Sequence, residues 1–271
     1  PPAGSDLAVI ARSTGRGTST ERIDQIPLFQ LGTYYLAVTG YDGASSGRSY
    51  ALQLDTDTPT LPEPVCPVGG VTFPFAGAGV NANVSVPSGT NTLFVINHRR
   101  FGDQYGTDAA DDVLAAIESL GDELGQGELA DLQLVAGIVD LGSIQAVSDA
   151  YDDWDGEPCR LDRADDVVDA TTAALAAVYR NHPGIENVVM VGSDSIIPFG
   201  RLSDRTLLGN EQNYALTFAD DRSTALYAAL SGGTSFSDAP YADMTPTLVN
   251  ERLLYAPERA IGRLVEDPQS I

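Results

Sequence analysis

The chain contains no lysine. Its 15 basic residues are all arginine and stand against 38 Asp and Glu, so the formal net charge is −23 over 271 residues. A surface this acidic repels nucleic-acid phosphates and anionic lipid, which disfavours both as partners. The lysine-free, Asp-rich composition fits a high-salt habitat and a GC-rich genome equally, and composition does not separate the two. Cysteine is nearly absent: only Cys66 and Cys159 occur, neither in a Cys-x-x-Cys pair, which rules out a zinc ribbon and a thioredoxin-like motif. Both lie in Pro/Gly/Asp-rich stretches, PVCPVGG and DGEPCRL. One surface disulfide in an oxidising compartment and two unrelated loop cysteines both satisfy the sequence. There is no apolar run of about 18 residues, the length a membrane-spanning helix needs. No strand-like run is followed by G-x-G-x-x-G or G-x-x-x-x-G-K, which disfavours a nucleotide-binding α/β protein. Neither a signal peptide nor an initiator Met is present, and both ends read as cut, so the chain is expected to be a piece of a longer polypeptide.

What is there falls into three parts. Residues 1–57 have the two-residue alternation of strands. Leu7, Val9 and Ala11 alternate with Ala8, Ile10 and Arg12; Thr33-Tyr34-Tyr35-Leu36-Ala37-Val38 is β-branched and aromatic; Tyr50-Ala51-Leu52-Gln53-Leu54 alternates again. Gly40-Tyr41-Asp42-Gly43 supplies turn chemistry between the last two. This spacing predicts a small antiparallel sandwich. The order Ser5-Asp6-Leu7, Glu21-Arg22-Ile23, Gly32 to Tyr41 and Ser49-Tyr50-Ala51-Leu52 resembles the later part of a bacterial pre-peptidase C-terminal (PPC) domain. Such domains are β-sandwiches attached to secreted peptidases, and the earlier strands have no counterpart here. Residues 58–90 are a Pro-rich linker followed by a β-like segment expected to dock on the next domain.

From residue 91 the period changes. Leu93-Phe94-Val95-Ile96, Leu132 to Val139 and Val188-Val189-Met190-Val191 are short apolar runs of the kind buried on both faces of a parallel sheet. Asn97 to Asp103 reads as a polar loop. Val113, Leu114, Ile117, Leu120 and Leu124 share one helical face, with Thr107 or Asp108 as N-cap. A short helix or turn is expected from Ile144 to Trp154. A long helix is expected over 163–181, capped by Asp162, with Val167, Val168, Thr171, Leu175, Val178 and Tyr179 on its buried face. Ala260 to Val265 closes as a further short strand, after a loop-rich excursion. Alternating strands and helices predict a right-handed α/β parallel sheet over 91–271.

Gly192-Ser193-Asp194 stands at the carboxyl end of the third strand, the position where open α/β sheets bind ligands. Val191-Gly192-Ser193-Asp194 with Ile197-Pro198, then Ser203-Asp204, Asn213-Tyr214, Asp243 and Ala260-Ile261-Gly262-Arg263-Leu264 resembles, in that order, the gingipain-type cysteine peptidases. That family is secreted and has a caspase-like α/β fold. The sequence departs from its pattern at Ser193, where Asp ordinarily follows Gly, and in the insertion between Asp221 and Asp243. The resemblance implies an extracellular or cell-surface protein acting on peptide or protein substrate, with this segment joined to the rest of its polypeptide. The family's catalytic His, in a His-Gly pair, and its Cys both follow the Gly-Arg-Leu strand. The expectation is therefore a scaffold half without catalytic residues. A non-catalytic surface-assembly or adhesion protein is the rival reading.

The residues themselves agree. His98 precedes Arg99 rather than Gly, His182 precedes Pro183, and neither Cys66 nor Cys159 follows an apolar strand as a positioned nucleophile would. Asp194, Asp204, Asp220 and Asp243 lie in loops after strands and are the candidate metal ligands. Their carboxylates suit Ca²⁺, a hard cation served by several converging oxygens. Against that reading stands ordinary solvated Asp in an acidic chain, since no D-x-[DN]-x-[DN]-G run occurs. Arg263 is expected to hold one of these acids through a two-bond fork.

Overall fold

The computed structural model describes residues 86–124, 134–206, 210–249 and 252–265, with Ile23, Pro268 and the short runs 35–38 and 51–54. A four-stranded, wholly parallel sheet is the framework. It comprises β1 (Thr92–Ile96), β2 (Ala136–Asp140), β3 (Asn187–Val191) and β8 (Ala260–Leu264) in the order β2-β1-β3-β8. Parallel neighbours need long crossovers, and helices fill them: α1 (His98–Tyr105) and α2 (Thr107–Leu124) between β1 and β2, α3 (Gln145–Gly156) and α4 (Leu161–Asn181) between β2 and β3. All five residues of β1 are buried, as an apolar central strand covered on both faces requires. In β3, Val188 and Met190 are sealed while Val189 is only partly covered. The core joins these strands to Val113 and Ile117 of α2, Val147, Tyr151 and Trp154 of α3, and Val167, Val168, Leu175, Val178 and Tyr179 of α4. Each such side chain contributes about 1.5–3 kcal/mol on burial. The apolar face expected for α4 is thus the one observed.

Several local expectations are corrected. Asn97 to Asp103 is a helix, not a polar loop. Asn97 caps α1 by accepting from Arg100 N (3.2 Å), and the single apolar anchor Phe101 is fully buried, its ring centroid 5.0 Å from that of Tyr105. The strand expected from Leu132 begins at Ala136, because the side chain of Asn91 takes Val135 N–H (2.9 Å) before the ladder starts. α4 starts at Leu161, so Asp162 lies inside the first turn. There it is gripped by Arg160, which lowers its pKa, instead of capping the helix.

The excursion between β3 and β8 is more regular than its Gly/Asp/Pro content suggested. β4 (Gly200–Ser203) pairs antiparallel with β5 (Thr234–Ser237). Three short helices belong to it: α5 (Gln212–Ala215), followed by a 3₁₀ turn over Leu216–Asp221, α6 (Ala225–Ser231) and α7 (Ala239–Ala242). A hairpin of β6 (Thr247–Val249) and β7 (Arg252–Leu254) precedes β8.

At the amino side, Val86 and Thr90 lie over Gly137 of β2 so closely that a Cβ there would meet Thr90 Cγ2 at 2.8 Å and Val86 Cβ at 3.2 Å. Val86 and Thr90 thus pack on β2. Residues 35–38 and 51–54, expected as strands, are exposed and lie in none of the described strands. The remainder of the β-sandwich and linker expectations lies outside the described residues. Among the described residues no helix is long and apolar enough to cross a membrane.

Candidate functional site

In the order β2-β1-β3-β8 the chain runs outward in opposite directions from β1 and β3. The loops leaving their carboxyl ends therefore diverge, and a crevice for ligands is expected there. Asn97 and His98 follow β1; Gly192 to Phe199 follow β3. The second loop is pinned to an unusual degree. Arg100 Nε donates to Ser195 O (3.0 Å), Tyr151 Oη to Ile196 O (2.6 Å), Arg263 Nη1 to Ile197 O (2.7 Å), Tyr241 Oη to Pro198 O and Arg201 Nη1 to Phe199 O. Every carbonyl from Ser195 to Phe199 thus has a side-chain donor. Gly192 O adds a bond from Arg263 (2.9 Å). Burial pushes the phenols of Tyr151 and Tyr241 upward, so they stay neutral donors.

The arginines are themselves held by acids. Arg201, whose side chain is fully buried, forms a two-bond fork with Asp194 at 2.8 and 2.7 Å, and Asp194 also accepts from Phe199 N (2.9 Å). Arg263 does make the expected acid fork, but with Asp238 rather than with any of the four candidate acids. Its guanidinium also stacks 3.9 Å over the Phe199 ring. Arg100 pairs with Asp155 through two bonds (2.9 and 2.7 Å) and lies 4.4 Å over the Tyr151 ring. The Ser195 hydroxyl donates to Gln104 Oε1 (2.7 Å), joining the β3 loop to α1. Arg100 and Gln104 thus tie the loop after β3 to the helix that follows β1.

The other candidate acids act locally. Asp204 accepts from Thr206 N (2.8 Å), Thr206 Oγ1 (2.7 Å) and Glu211 N (2.9 Å). Burial disfavours its charge, but these donors outweigh it and hold the carboxyl below its usual range. Asp243, 2 % exposed, ties Thr245 N (2.9 Å) to Ala256 N (2.5 Å). Asp220 is exposed on the 3₁₀ turn. Among the described residues no three His, Cys, Asp or Glu side chains stand together as a metal shell. The structure brings Asp194 into the pinned loop and keeps Asp204 and Asp243 with their own backbone donors.

Cys159 is disulfide-bonded and buried at 1 % exposure; Cys66, the other cysteine of the sequence, lies outside the described residues. The Cys159 Sγ sits 3.5 Å from Ser223 O, which is a contact and not a hydrogen bond, because a bridged sulfur has no proton. His98 Nε2 meets Asp111 Oδ1 at 2.8 Å, while its backbone N donates to Asp140 Oδ1 (3.1 Å). His182 closes α4, its N–H bonded to Val178 O (2.9 Å). Buried Asn97 lies against the Tyr151 hydroxyl, yet its Nδ2 has no acceptor of sound geometry among the described residues.

Sequence reasoning missed Arg100, Tyr151, Arg201, Asp238 and Tyr241. The available signal was the pairing of scarce arginines with aromatic and acidic residues far along the chain, which no local period reveals. No family model matches this chain, and neither a curated protein nor a solved structure matches it.

Proposed function

We propose that this chain is the scaffold half of a caspase-like domain of gingipain type, belonging to a secreted cysteine peptidase. One observation carries the reading: Arg263, in the Gly262-Arg263-Leu264 motif of β8, grips Gly192 O and Ile197 O in the Gly192-Ser193-Asp194 and Ile197-Pro198 motifs beside β3. Motif fragments 71 residues apart thus form one unit. The four-stranded parallel sheet fits the α/β class that this reading requires. Its function is to present a rigid, parallel-sheet platform whose loops cannot shift by an ångström without breaking several charge-assisted bonds.

In this reading the thiolate that attacks the peptide carbonyl and the His that protonates the leaving amine come from the rest of the polypeptide, as the resemblance implies. The residues of this chain fit a supporting role. Cys159 is buried in a disulfide and so has no thiolate to offer. That disulfide also fits an extracellular or cell-surface location.

The test compares this chain with a polypeptide extended beyond residue 271, using peptide substrates and a thiol-alkylating probe. The reading predicts no hydrolysis by the chain alone, with hydrolysis and rapid labelling of a new cysteine in the extended protein. Rapid labelling of Cys66 at neutral pH, abolished by His98→Ala, would overturn it. An extended protein that folds but neither hydrolyses peptide nor labels would favour the surface-assembly role.

A further inference from the structure

A second group of acids lies outside the resembling motifs and the pinned loop. Asp165 and Asp169 stand one turn apart on the same side of α4. Asp165 is 1 % exposed. Its Oδ1 accepts from Arg201 N (3.2 Å), and its Oδ2 is buried with no hydrogen-bond partner among the described residues. Nη1 and Nη2 of Arg201 are held by Asp194 and Phe199 O, and its buried Nε has no partner among the described residues, so Arg201 attracts Asp165 by charge without a side-chain bond to it. Asp169 is half-buried, and among the described residues no basic side chain acts on it. Tyr255, in the segment after β7, faces Asp169, Asp165 and Asp243. The charged and titratable groups around the pair are therefore Arg201 of β4, Asp166 on α4 itself, and Tyr255 with Asp243 across from it.

An ionised carboxylate with one oxygen sealed from water and without a donor is strongly disfavoured; the group takes up a proton instead. We propose that the Asp165–Asp169 pair is a proton-gated latch: protonated, it lets α4 pack against β4 and the Tyr255 segment; ionised, it loosens that packing. Burial comes first among the causes that push both carboxyls up to about 7, with the neighbouring acids adding to it. The backbone N–H of Arg201 and its charge act in the opposite direction on Asp165.

The sign follows from linkage. A folded-state pKa raised above the unfolded value gives stability that is full below about 4, the unfolded carboxylate range, and is lost as pH rises through about 7. This is opposite to the acid-side loss expected from Asp162, Asp204 and Glu258, whose pKa values are lowered.

The experiment follows thermal unfolding of the whole chain from pH 5 to pH 8.5 at constant ionic strength, for the wild type, Asp165→Asn and Asp169→Asn. Side-chain carboxyl ¹³C shifts of the wild type are followed over the same range. The latch predicts a wild-type Tm that falls as pH rises, a flattened profile in Asp165→Asn, and a carboxyl resonance with its midpoint near neutrality that is absent from that variant. A wild-type profile retained unchanged in both variants would overturn it. If Asp165→Asn does not fold, the wild-type carboxyl titration decides alone: a midpoint near neutrality supports the latch, and midpoints all near 4 refute it.

Discussion

Arg201 and Asp194 are joined as a fully buried guanidinium on a carboxylate, through two bonds of 2.8 and 2.7 Å, and the carboxylate also fastens Phe199 N. The two partners differ in their access to water. The Asp194 side chain keeps 26 % of its exposure, whereas Arg201 keeps none. Removing the acid strands a buried cation, while removing the arginine leaves an acid that water still reaches. Asp194→Ala is therefore expected to cost about 3–5 kcal/mol of unfolding free energy, and Arg201→Met distinctly less. Urea titration of both variants checks the order, and equal losses would contradict it.

The two glycines in the resembling motifs have unequal duties. Gly192 has φ +119°, and a Cβ there would meet Ile196 Cγ2 at 2.8 Å and Ile196 Cβ at 2.9 Å. Gly262 is exposed on β8, and a Cβ at that position would meet no atom within 4 Å among the described residues. Gly192→Ala should destabilise by about 1–3 kcal/mol through strain and overpacking, and Gly262→Ala by less than about 0.5 kcal/mol. Paired denaturation curves read the difference directly.

The contrast shows what was legible from sequence. The parallel sheet was, because Leu93–Ile96 and Val188–Val191 are continuous apolar runs between helical periods, and a doubly covered strand leaves no other pattern. α1 was not, because HRRFGDQY offers one apolar anchor, Phe101, and its cap is an asparagine that equally suits a loop. Even within β3 the run hid a gradient: Val188 and Met190 are sealed, while Val189 is half-covered. Val188→Asp is thus a harsher substitution than Val189→Asp. For the site, the Gly192-Ser193-Asp194 position and a salt-bridged Arg263 were readable. Asp238 as its partner was not, because the two lie 25 positions apart with α7 and the β6–β7 hairpin between them, and only the fold brings them together.

Cys159 provides a third check. Its side chain packs with Leu161, Ala228 and Ala229, and its sulfur is tied into a disulfide. Reduction frees the unfolded chain and lowers stability by about 2–5 kcal/mol. Tm with and without reductant should differ by several degrees, and alkylation should require reduction first. An unchanged Tm under verified reduction would show that apolar packing alone holds this corner.

The candidate metal acids give the last prediction. Asp194, Asp204 and Asp243 already direct their oxygens at Arg201, Thr206, Glu211, Thr245 and Ala256. A Ca²⁺ ion must compete with those donors for oxygen lone pairs. General screening of a −23 surface needs no such geometry and treats Ca²⁺ and Mg²⁺ alike. A site-bound Ca²⁺ would instead be selective and would stabilise by about 2.7 kcal/mol at a hundredfold excess over its dissociation constant. The hydrogen bonds in place predict coincident thermal unfolding curves with Ca²⁺, with Mg²⁺ and with chelator at matched ionic strength. A rise in Tm with Ca²⁺ alone, removed by Asp220→Asn, would assign the ion to the exposed turn at Leu216–Asp221, where an acid is open to solvent.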